Sequence, residues 1–304
     1  MVVRSFFLFL SRRKHLRRWM ETSLLAKRLA SRFVAGESLD QALSVGRKLN
    51  SEGITVTLDH LGESVSTLDE AAQARDVYLR TLCAIHDSGI QGNVSLKLTQ
   101  FGLDLSFDQC RSNVEQLVKR AQELDSFVRV DMESSEYTDR TLDVVNGLFD
   151  QYRAVGVVIQ AYLFRSKSDV ENLCSRGIRV RLCKGAYLEP HSVAFAAKAD
   201  VDRNFIELMK ILLDRGTYPA IATHDSRMID ATKAYAASRK ISRDQFEFQM
   251  LYGIRRDLQR QLVSEGYRLR LYVPFGKAWY PYYMRRLAER PANVFFILRN
   301  LLRK

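Results

Sequence analysis

The chain has 304 residues, of which 46% are hydrophobic and 27% charged, as in an ordinary globular protein of one large core or two domains. No apolar run approaches the roughly 20 residues that span a bilayer. The apolar patch at 6–10 is too short for a secretory signal and has no clear cleavage site after it. The formal net charge of +12 could attract nucleic acid or anionic lipid. The sequence contains no recognisable nucleic-acid-binding module, so we expect no nucleic acid partner.

The cysteine pattern predicts free thiols. Cys83, Cys110, Cys174 and Cys183 include no CxxC pair, so neither a zinc site nor a disulfide framework is indicated. We therefore expect a reducing compartment, which means a cytoplasmic protein, and no metal ion.

The first 50 residues are rich in Ala, Leu, Arg and Lys, and predict a helical extension over 1–50 ahead of a second unit over 51–304. Ala35 and Gly36, followed by Ser38, predict a break and a new helix cap. Basic clusters lie near both ends, at 12–18 and 285–304. Together with the patch at 6–10, they favour either a peripheral contact with the inner face of the cell membrane or ordinary solvated charge, and both stay open.

From residue 54 onward, short apolar runs alternate with longer helical stretches. Eight runs predict strands, at 54–58, 93–98, 127–132, 155–161, 178–183, 220–223, 246–251 and 269–273. The stretches between them predict helices, at 68–88, 107–124, 138–152, 166–176, 193–215, 228–240 and 254–266. This alternation implies parallel strands with right-handed crossovers. Eight such units favour an α/β fold of the closed (β/α)8 TIM-barrel type, and the lack of GxGxxG after any run counts against a dinucleotide-binding sheet.

The carboxyl ends of the predicted strands are unusually polar, and a barrel of this type carries its chemistry at those ends. Alternate residues share one face of a strand, so Lys97, Asp131 and Arg181 are expected to point into the barrel mouth. Each residue alone could be half of a salt bridge that only closes the barrel. The charge exceeds what closure requires and predicts one anionic ligand or two, once four more residues are added: Lys184, His224, Arg285 and Arg286.

We expect Pro274 to break the last strand, and a helical stretch follows it. One face of this helix carries a phenol, two guanidinium groups and a carboxylate at i, i+3, i+4 and i+7, namely Tyr282, Arg285, Arg286 and Glu289. Two guanidinium groups suit a carboxylate or a phosphate, because each can donate two parallel hydrogen bonds. The alternative is a solvated surface with an ordinary i, i+4 ion pair.

In this order, the strand-end segments resemble the proline dehydrogenase family in its short single-function bacterial form. The matching segments are TLDHLGE (57–63), SLKLTQFG (95–102), VRVDME (128–133), IQAYL (159–163), RVRLCKGAY (179–187), ATHD (222–225), QMLYGI (249–254) and YVPFG with YYMRRLAERPAN (272–293). Each piece alone is weak, but the combination is specific and covers nearly all of the chain after the amino-terminal helices. The resemblance implies a distorted (β/α)8 barrel with non-covalent FAD. It further implies oxidation of L-proline to 1-pyrroline-5-carboxylate, with electrons passed to a membrane quinone.

The resemblance also implies individual roles at the substrate. Arg285 and Arg286 would bind the proline carboxylate beside Lys97, and Glu289 would pair with Lys97. Tyr282 would pack over the ring and disfavour 4-hydroxyproline. Three further residues would complete an apolar wall around the ring: Tyr187, Leu251 and Tyr272.

A second set of roles concerns catalysis and the cofactor. Asp131 and Arg181 match the catalytic pair of the family, with Arg181 against the flavin. The other implied FAD contacts are Met132, Gln160, Lys184, Gly185, Ala186, Thr223 and His224. No strong general base is obvious, so proline is expected to react as its free amine. The chain has no room for a second dehydrogenase module, so the product is expected to pass to a separate pyrroline-5-carboxylate dehydrogenase.

Two other functions stay open at this point. One is a Schiff-base aldolase that uses Lys97 or Lys184 and binds a phosphate at the arginines, although no glycine-rich phosphate loop follows the last two strands. The other is a non-catalytic basic protein that binds nucleic acid or lipid, with strongly salt-dependent affinity.

Overall fold

The computed structural model describes residues 20, 23, 26, 30–62 and 64–289, and describes side chains only as far as residue 284. Within that part of the chain, eight parallel strands close into a barrel in sequence order, which confirms the predicted fold. The strands are β1 Thr55–His60, β2 Gly92–Leu96, β3 Val128–Val130, β4 Val155–Gln160, β5 Arg179–Cys183, β6 Ala220–Ala222, β7 Glu247–Leu251 and β8 Leu269–Phe275. The barrel closes where β1 pairs with β8, from Thr55 opposite Arg270 to His60 opposite Phe275.

Helices cover the outside of the barrel. They are α1 Leu39–Ser51, α2 Leu68–Asp87, α3 Phe107–Glu123, α4 Thr138–Phe149, α5 Ser166–Ser175, α6 Lys198–Arg215, α7 Ser226–Ser238, α8 Arg256–Ser264 and α9 Trp279–Glu289. The predicted break before α1 is confirmed, because Gly36 has φ of +108° and Ser38 forms a capping box with Gln41. No helix among the described residues is both long and apolar enough to cross a membrane.

Most predicted boundaries shift by about one to three residues, and two differences have a reason that the structure shows. The helix expected from 193 begins only at Lys198, because 193–197 belong to the loop after β5, where Phe195 N donates to Tyr162 O at 2.8 Å. Strand β8 also continues through Pro274 to Phe275, paired with β1. A proline lacks only the backbone donor, and the Pro274 carbonyl accepts a hydrogen bond from Ala35 N at 2.8 Å.

The segment before α1 packs against the helix at the other end of the described chain. Ala30, Phe33 and Val34 share a buried cluster with Trp279 and Tyr283 of α9. Helix α1 itself packs into the main core. The division into 1–50 and 51–304 stays a prediction, and residues 1–19, with the apolar patch and the first basic cluster, lie outside the described residues.

The main apolar core lies between the sheet and the helices. Residues such as Val56, Leu58, Val94 and Leu96 are fully buried there. They alternate with side chains that face into the barrel, as the two-residue period of a strand requires.

The interior of the barrel is polar, whereas branched apolar residues usually dominate that space in this fold. Five side chains form what we call the polar floor: Thr57, Asn93, Arg129, Glu247 and Arg270. Arg270 Nε donates to Glu247 Oε1 at 2.8 Å, and Arg270 Nη1 donates to Asn93 Oδ1 at 3.2 Å and to Val56 O at 2.9 Å. Arg129 Nη1 donates to two strand carbonyls. A Cβ at Gly156 would lie 2.9 Å from Arg129 Nη1, so this glycine leaves the space that the guanidinium needs.

Candidate active site

One largely enclosed carboxylate organises the mouth of the barrel. Asp131 follows β3 directly, and its Oδ1 accepts hydrogen bonds from Ser95 Oγ at 2.5 Å and from Arg181 Nη1 at 2.8 Å. Its Oδ2 accepts from Tyr272 Oη at 2.9 Å and from Lys97 Nζ at 3.3 Å. Burial opposes ionisation, but Lys97 and Arg181 lower the pKa of Asp131 below its ordinary value. Asp131 is therefore a carboxylate at neutral pH, and it holds both cations in place.

Lys97 lies between two carboxylates. Besides Asp131, its Nζ is 3.7 Å from Asp59 Oδ2, and it donates to Tyr272 Oη at 3.2 Å. Burial alone would lower the pKa of Lys97, yet Asp59 and Asp131 raise it above the ordinary value of a lysine. A lysine held in its charged form is a poor nucleophile, and this argues against the Schiff-base aldolase at this position.

Arg181 reaches across the barrel from β5. In addition to Asp131, its Nη1 donates to Ser95 Oγ at 3.3 Å, and its Nε donates to Gln249 Oε1 at 2.6 Å. Its guanidinium carbon is 5.4 Å from the centre of the Tyr272 ring, a cation–π distance. The expected convergence of Lys97, Asp131 and Arg181 at the barrel mouth is confirmed by these contacts.

The tips of β3, β4 and β5 are tied together beside this cluster. Gln160 donates through Nε2 to Glu133 O at 2.9 Å and accepts through Oε1 from Ala186 N at 3.2 Å. Gly185 has φ of +128°, and a Cβ there would lie 2.3 Å from the Tyr162 ring, so only glycine fits this backbone path. Gln160, Gly185 and Ala186 thus form one continuous rim of the mouth.

The tips of β5 and β6 share a second charged group. Lys184 Nζ donates to Asp202, and to Asp225 Oδ2 at 2.7 Å. Asp225 also caps α7 by accepting from Arg227 N at 3.1 Å. His224 Nε2 accepts from Leu251 N at 2.9 Å and joins the β6 tip to the β7 tip.

The remaining predicted cofactor contacts, Met132 and Thr223, are both buried at strand tips. Thr223 N donates to Gln249 O at 3.1 Å, and its hydroxyl accepts from Asp225 N at 3.1 Å. Thr223 is thus bonded to β7 and within its own strand tip, Met132 belongs to the main core, and the role of the predicted cofactor residues toward FAD stays a prediction.

The predicted wall of the substrate site is divided between elements. Tyr272 belongs to the central cluster, whereas Leu251 packs against the buried cluster that contains Tyr282 of α9. Tyr187 lies on the loop after β5 and is 38% exposed. Helix α9 follows β8 after three residues and includes Arg285, Arg286 and Glu289, whose side chains lie outside the described part of the chain.

Sequence reasoning missed four residues of the cluster. Ser95 and Gln249 lie two positions before Lys97 and Leu251 on the same strand faces, so the two-residue alternation could have found them. Asp59 is the residue before the last in β1 and is 2% exposed. Tyr78 donates to Asp59 Oδ1 at 3.0 Å from α2, outside the strands, and no pattern along the chain indicates this contact.

Comparison with known proteins agrees with this geometry. The family model described as proline dehydrogenase matches residues 42–299. The chain belongs to the proline dehydrogenase family. It is 40% identical to proline dehydrogenase 2 of Bacillus subtilis over 304 residues, 100% of both chains. It is 41% identical to the proline dehydrogenase of Deinococcus radiodurans over 280 residues, 90% of both chains.

Solved structures of larger proteins share the barrel. Proline utilization A from Bdellovibrio bacteriovorus, in a crystal structure of the form inactivated by N-propargylglycine, superposes with a TM-score of 0.81 at 30% identity. The match covers 87% of this chain and 33% of that protein. The proline dehydrogenase family barrel thus occurs both as a chain of this length and as part of a longer one.

Proposed function

We propose that the chain oxidises L-proline to 1-pyrroline-5-carboxylate, with non-covalently bound FAD as the hydride acceptor and a quinone as the final electron acceptor. The observation that carries the proposal is the hydrogen-bonded cluster of Lys97, Asp131 and Arg181 at the strand tips of a proline dehydrogenase family barrel. A partly buried cluster with two fixed cations suits an anionic cofactor and an anionic substrate.

The residues present fit a flavin. Arg181 Nη2 is buried and has no hydrogen-bond partner among the described residues, although its other two nitrogens are bonded. A buried donor without a partner is costly, and an acceptor on a bound cofactor would satisfy it. FAD would be held by Arg181, by the rim residues Gln160, Gly185 and Ala186, and by the following set: Met132, Lys184, Thr223 and His224. When bound, the flavin supplies the chemistry, because it accepts the hydride from the carbon beside the proline nitrogen.

The substrate would be oriented by charge at one side and by rings at the other. Arg285 and Arg286 would grip the proline carboxylate near Lys97, which stays protonated between its two carboxylates, and Glu289 would fix that group. Tyr272, Leu251, Tyr187 and Tyr282 would wall the ring. Such a grip holds the reacting carbon in one place, which lowers the entropic part of the barrier.

The substrate amine needs no dedicated base in this proposal. The carboxylate of Asp131 is already bonded to two cations and two hydroxyl groups. Positive charge around the site lowers the pKa of a bound ammonium group, so proline would release its proton before the hydride leaves. Electrons would then pass to a membrane quinone, with peripheral attachment through the basic ends, and the product would pass to a separate pyrroline-5-carboxylate dehydrogenase.

The test is an absorbance spectrum of the purified protein before and after addition of L-proline under nitrogen. We expect a flavin band that bleaches with proline. The substitution Arg286→Met should raise KM for proline at least about tenfold, since it removes a bidentate charge-assisted contact, and should leave FAD bound. The matched control is Arg260→Met on the exposed face of α8. A colourless protein that takes up no flavin on reconstitution would contradict the proposal.

A further inference from the structure

A hydrogen-bonded chain runs from the polar floor to Arg181. Arg181 Nε donates to Gln249 Oε1 at 2.6 Å, and Gln249 Nε2 donates to Glu247 Oε1. The same carboxylate oxygen accepts from Arg270 Nε at 2.8 Å. Gln249 is 4% exposed and Glu247 is 3% exposed, so water has little access to these hydrogen bonds. Gln249 therefore sets the orientation of the Arg181 guanidinium, because it links that group to the polar floor.

Two sides of the Arg181 guanidinium are fixed by these contacts. Nη1 donates to Asp131 Oδ1, and Nε donates to Gln249. A guanidinium is planar and rigid, so fixing two of its nitrogens determines where the third one points. The third nitrogen, Nη2, is the buried donor without a partner among the described residues.

A neutral amide is the side chain that this position needs. Gln249 must accept from a guanidinium on one side and donate to a carboxylate on the other, and only one orientation of its amide group does both. A glutamate at 249 would place a second carboxylate beside Glu247, and a methionine would offer neither group. Burial opposes ionisation of Glu247, but Arg270 lowers the pKa of its carboxyl group, so the acceptor for the amide is charged.

We propose that Gln249 is a positioning residue, which holds the guanidinium of Arg181 so that Nη2 is presented to the cofactor. This inference rests on the proposed function, because that function assigns Arg181 to the flavin. The alternative is a purely structural role, in which Gln249 only fills and neutralises the barrel interior.

The experiment compares Gln249→Met, which keeps the length of the side chain and removes both polar groups, with a matched variant elsewhere. Asn113 is an equally buried amide on the outer helix α3, and it accepts from Arg75 Nη1 at 3.3 Å. Asn113→Leu therefore removes a buried amide–arginine bond outside the barrel mouth.

Two measurements separate the roles. The first measurement is urea unfolding of the full chain at one fixed FAD concentration. The changes in the free energy of unfolding caused by Gln249→Met and by Arg181→Lys should be non-additive in the double variant, whereas those caused by Asn113→Leu and by Arg181→Lys should add. At saturating proline, the rate of flavin reduction should fall about tenfold in Gln249→Met, as expected for a lost charge-assisted hydrogen bond, with KM changed by less than about twofold. Asn113→Leu should leave that rate unchanged.

An additive effect with Arg181→Lys, together with an unchanged reduction rate, would overturn the positioning role. If Gln249→Met does not fold, Gln249→Asn is used instead, because it keeps the amide group on a side chain that is shorter by one methylene. The same two measurements are then made on that variant and are judged in the same way. Wild-type protein whose flavin is not bleached by proline would instead contradict the proposed function, while the unfolding measurement would still report the coupling.

Discussion

The hydroxyl group of Tyr272 joins all three charged residues at the barrel mouth. It donates to Asp131, which also binds Arg181, and it accepts from Lys97. Burial, followed by the charge of Asp131, raises the pKa of Tyr272 well above its ordinary value. The phenol therefore stays neutral, and its hydroxyl remains a hydrogen-bond donor to Asp131 at any working pH.

Tyr272→Phe removes this hydroxyl and keeps the ring. Because Asp131 loses one donor and Lys97 loses one acceptor, we expect kcat/KM for proline to fall about tenfold, with FAD retained. Steady-state kinetics and the flavin absorbance measure the two quantities. Tyr267→Phe, in the aromatic cluster with Phe246 and Phe248, is the control and should leave kcat/KM unchanged. Equal kinetics in both variants would contradict the role of the hydroxyl.

At the level of single residues, the sequence predicts three charged members of the cluster and misses several of their partners, among them the carboxylate of Asp59. Lys97, Asp131 and Arg181 follow from strand alternation, because unlike charges at strand tips are conspicuous. Gln249 and Ser95 occupy equivalent positions, but neutral residues in a strand do not indicate a site. Tyr78 approaches Asp59 from a helix, and a contact between two elements depends on the three-dimensional packing.

Among the elements, the loop after β5 differs most from its prediction. Residues 193–197 have helical composition, yet they pair with the segment after β4 through Phe164 N to Val193 O and Phe195 N to Tyr162 O. Helix propensity is a weak preference that such tertiary contacts override. The other strands and helices deviate by only a few residues, because their apolar periodicity matches the burial that the barrel imposes.

Glu189 anchors this loop. Its carboxylate accepts from Ser135 N at 2.9 Å, from the Ser135 hydroxyl and from Tyr162 Oη at 3.3 Å. The loop also carries Tyr187, a predicted part of the substrate wall.

Glu189→Ala should loosen the loop. We expect faster hydrogen exchange over 184–197, measured by mass spectrometry, and a KM for proline raised by about threefold to tenfold, since an anchored loop positions its residues before the substrate binds. Glu171→Ala on α5, where the glutamate pairs with exposed Arg215, is the control. Exchange over 184–197 equal to that of the wild type would show that Glu189 does not hold the loop.

For the whole molecule, the ion pairs around Lys184 make the free energy of unfolding depend on pH in the acid range. Burial would raise the pKa of Asp225, but its hydrogen bond and charge interaction with Lys184 lower it to about 2. An unfolded chain has an Asp pKa of about 3.9. The folded state thus binds the proton less tightly, so this contribution to stability is complete above about pH 4 and is lost as the pH falls toward 2.

Asp225→Asn should remove that pH-dependent contribution. The loss in free energy of unfolding, relative to the wild type, should be largest near neutral pH and should shrink between pH 4 and pH 2, as followed by urea denaturation at each pH. Asp230→Asn, on the exposed face of the same helix, is the control for removal of an aspartate charge from α7. A loss for Asp225→Asn that stays constant with pH would contradict the linkage.

The two ends of the described chain meet at one place. Ala35 N donates to Pro274 O at 2.8 Å, Gly276 N donates to Gly36 O at 2.9 Å, and Phe33 packs against Tyr283 with ring centres 6.1 Å apart. The helix predicted to hold the substrate carboxylate therefore rests on a segment that precedes the first strand. Substitutions in residues 33–36 would act on proline binding, although this segment lies almost the full length of the chain away from the arginines.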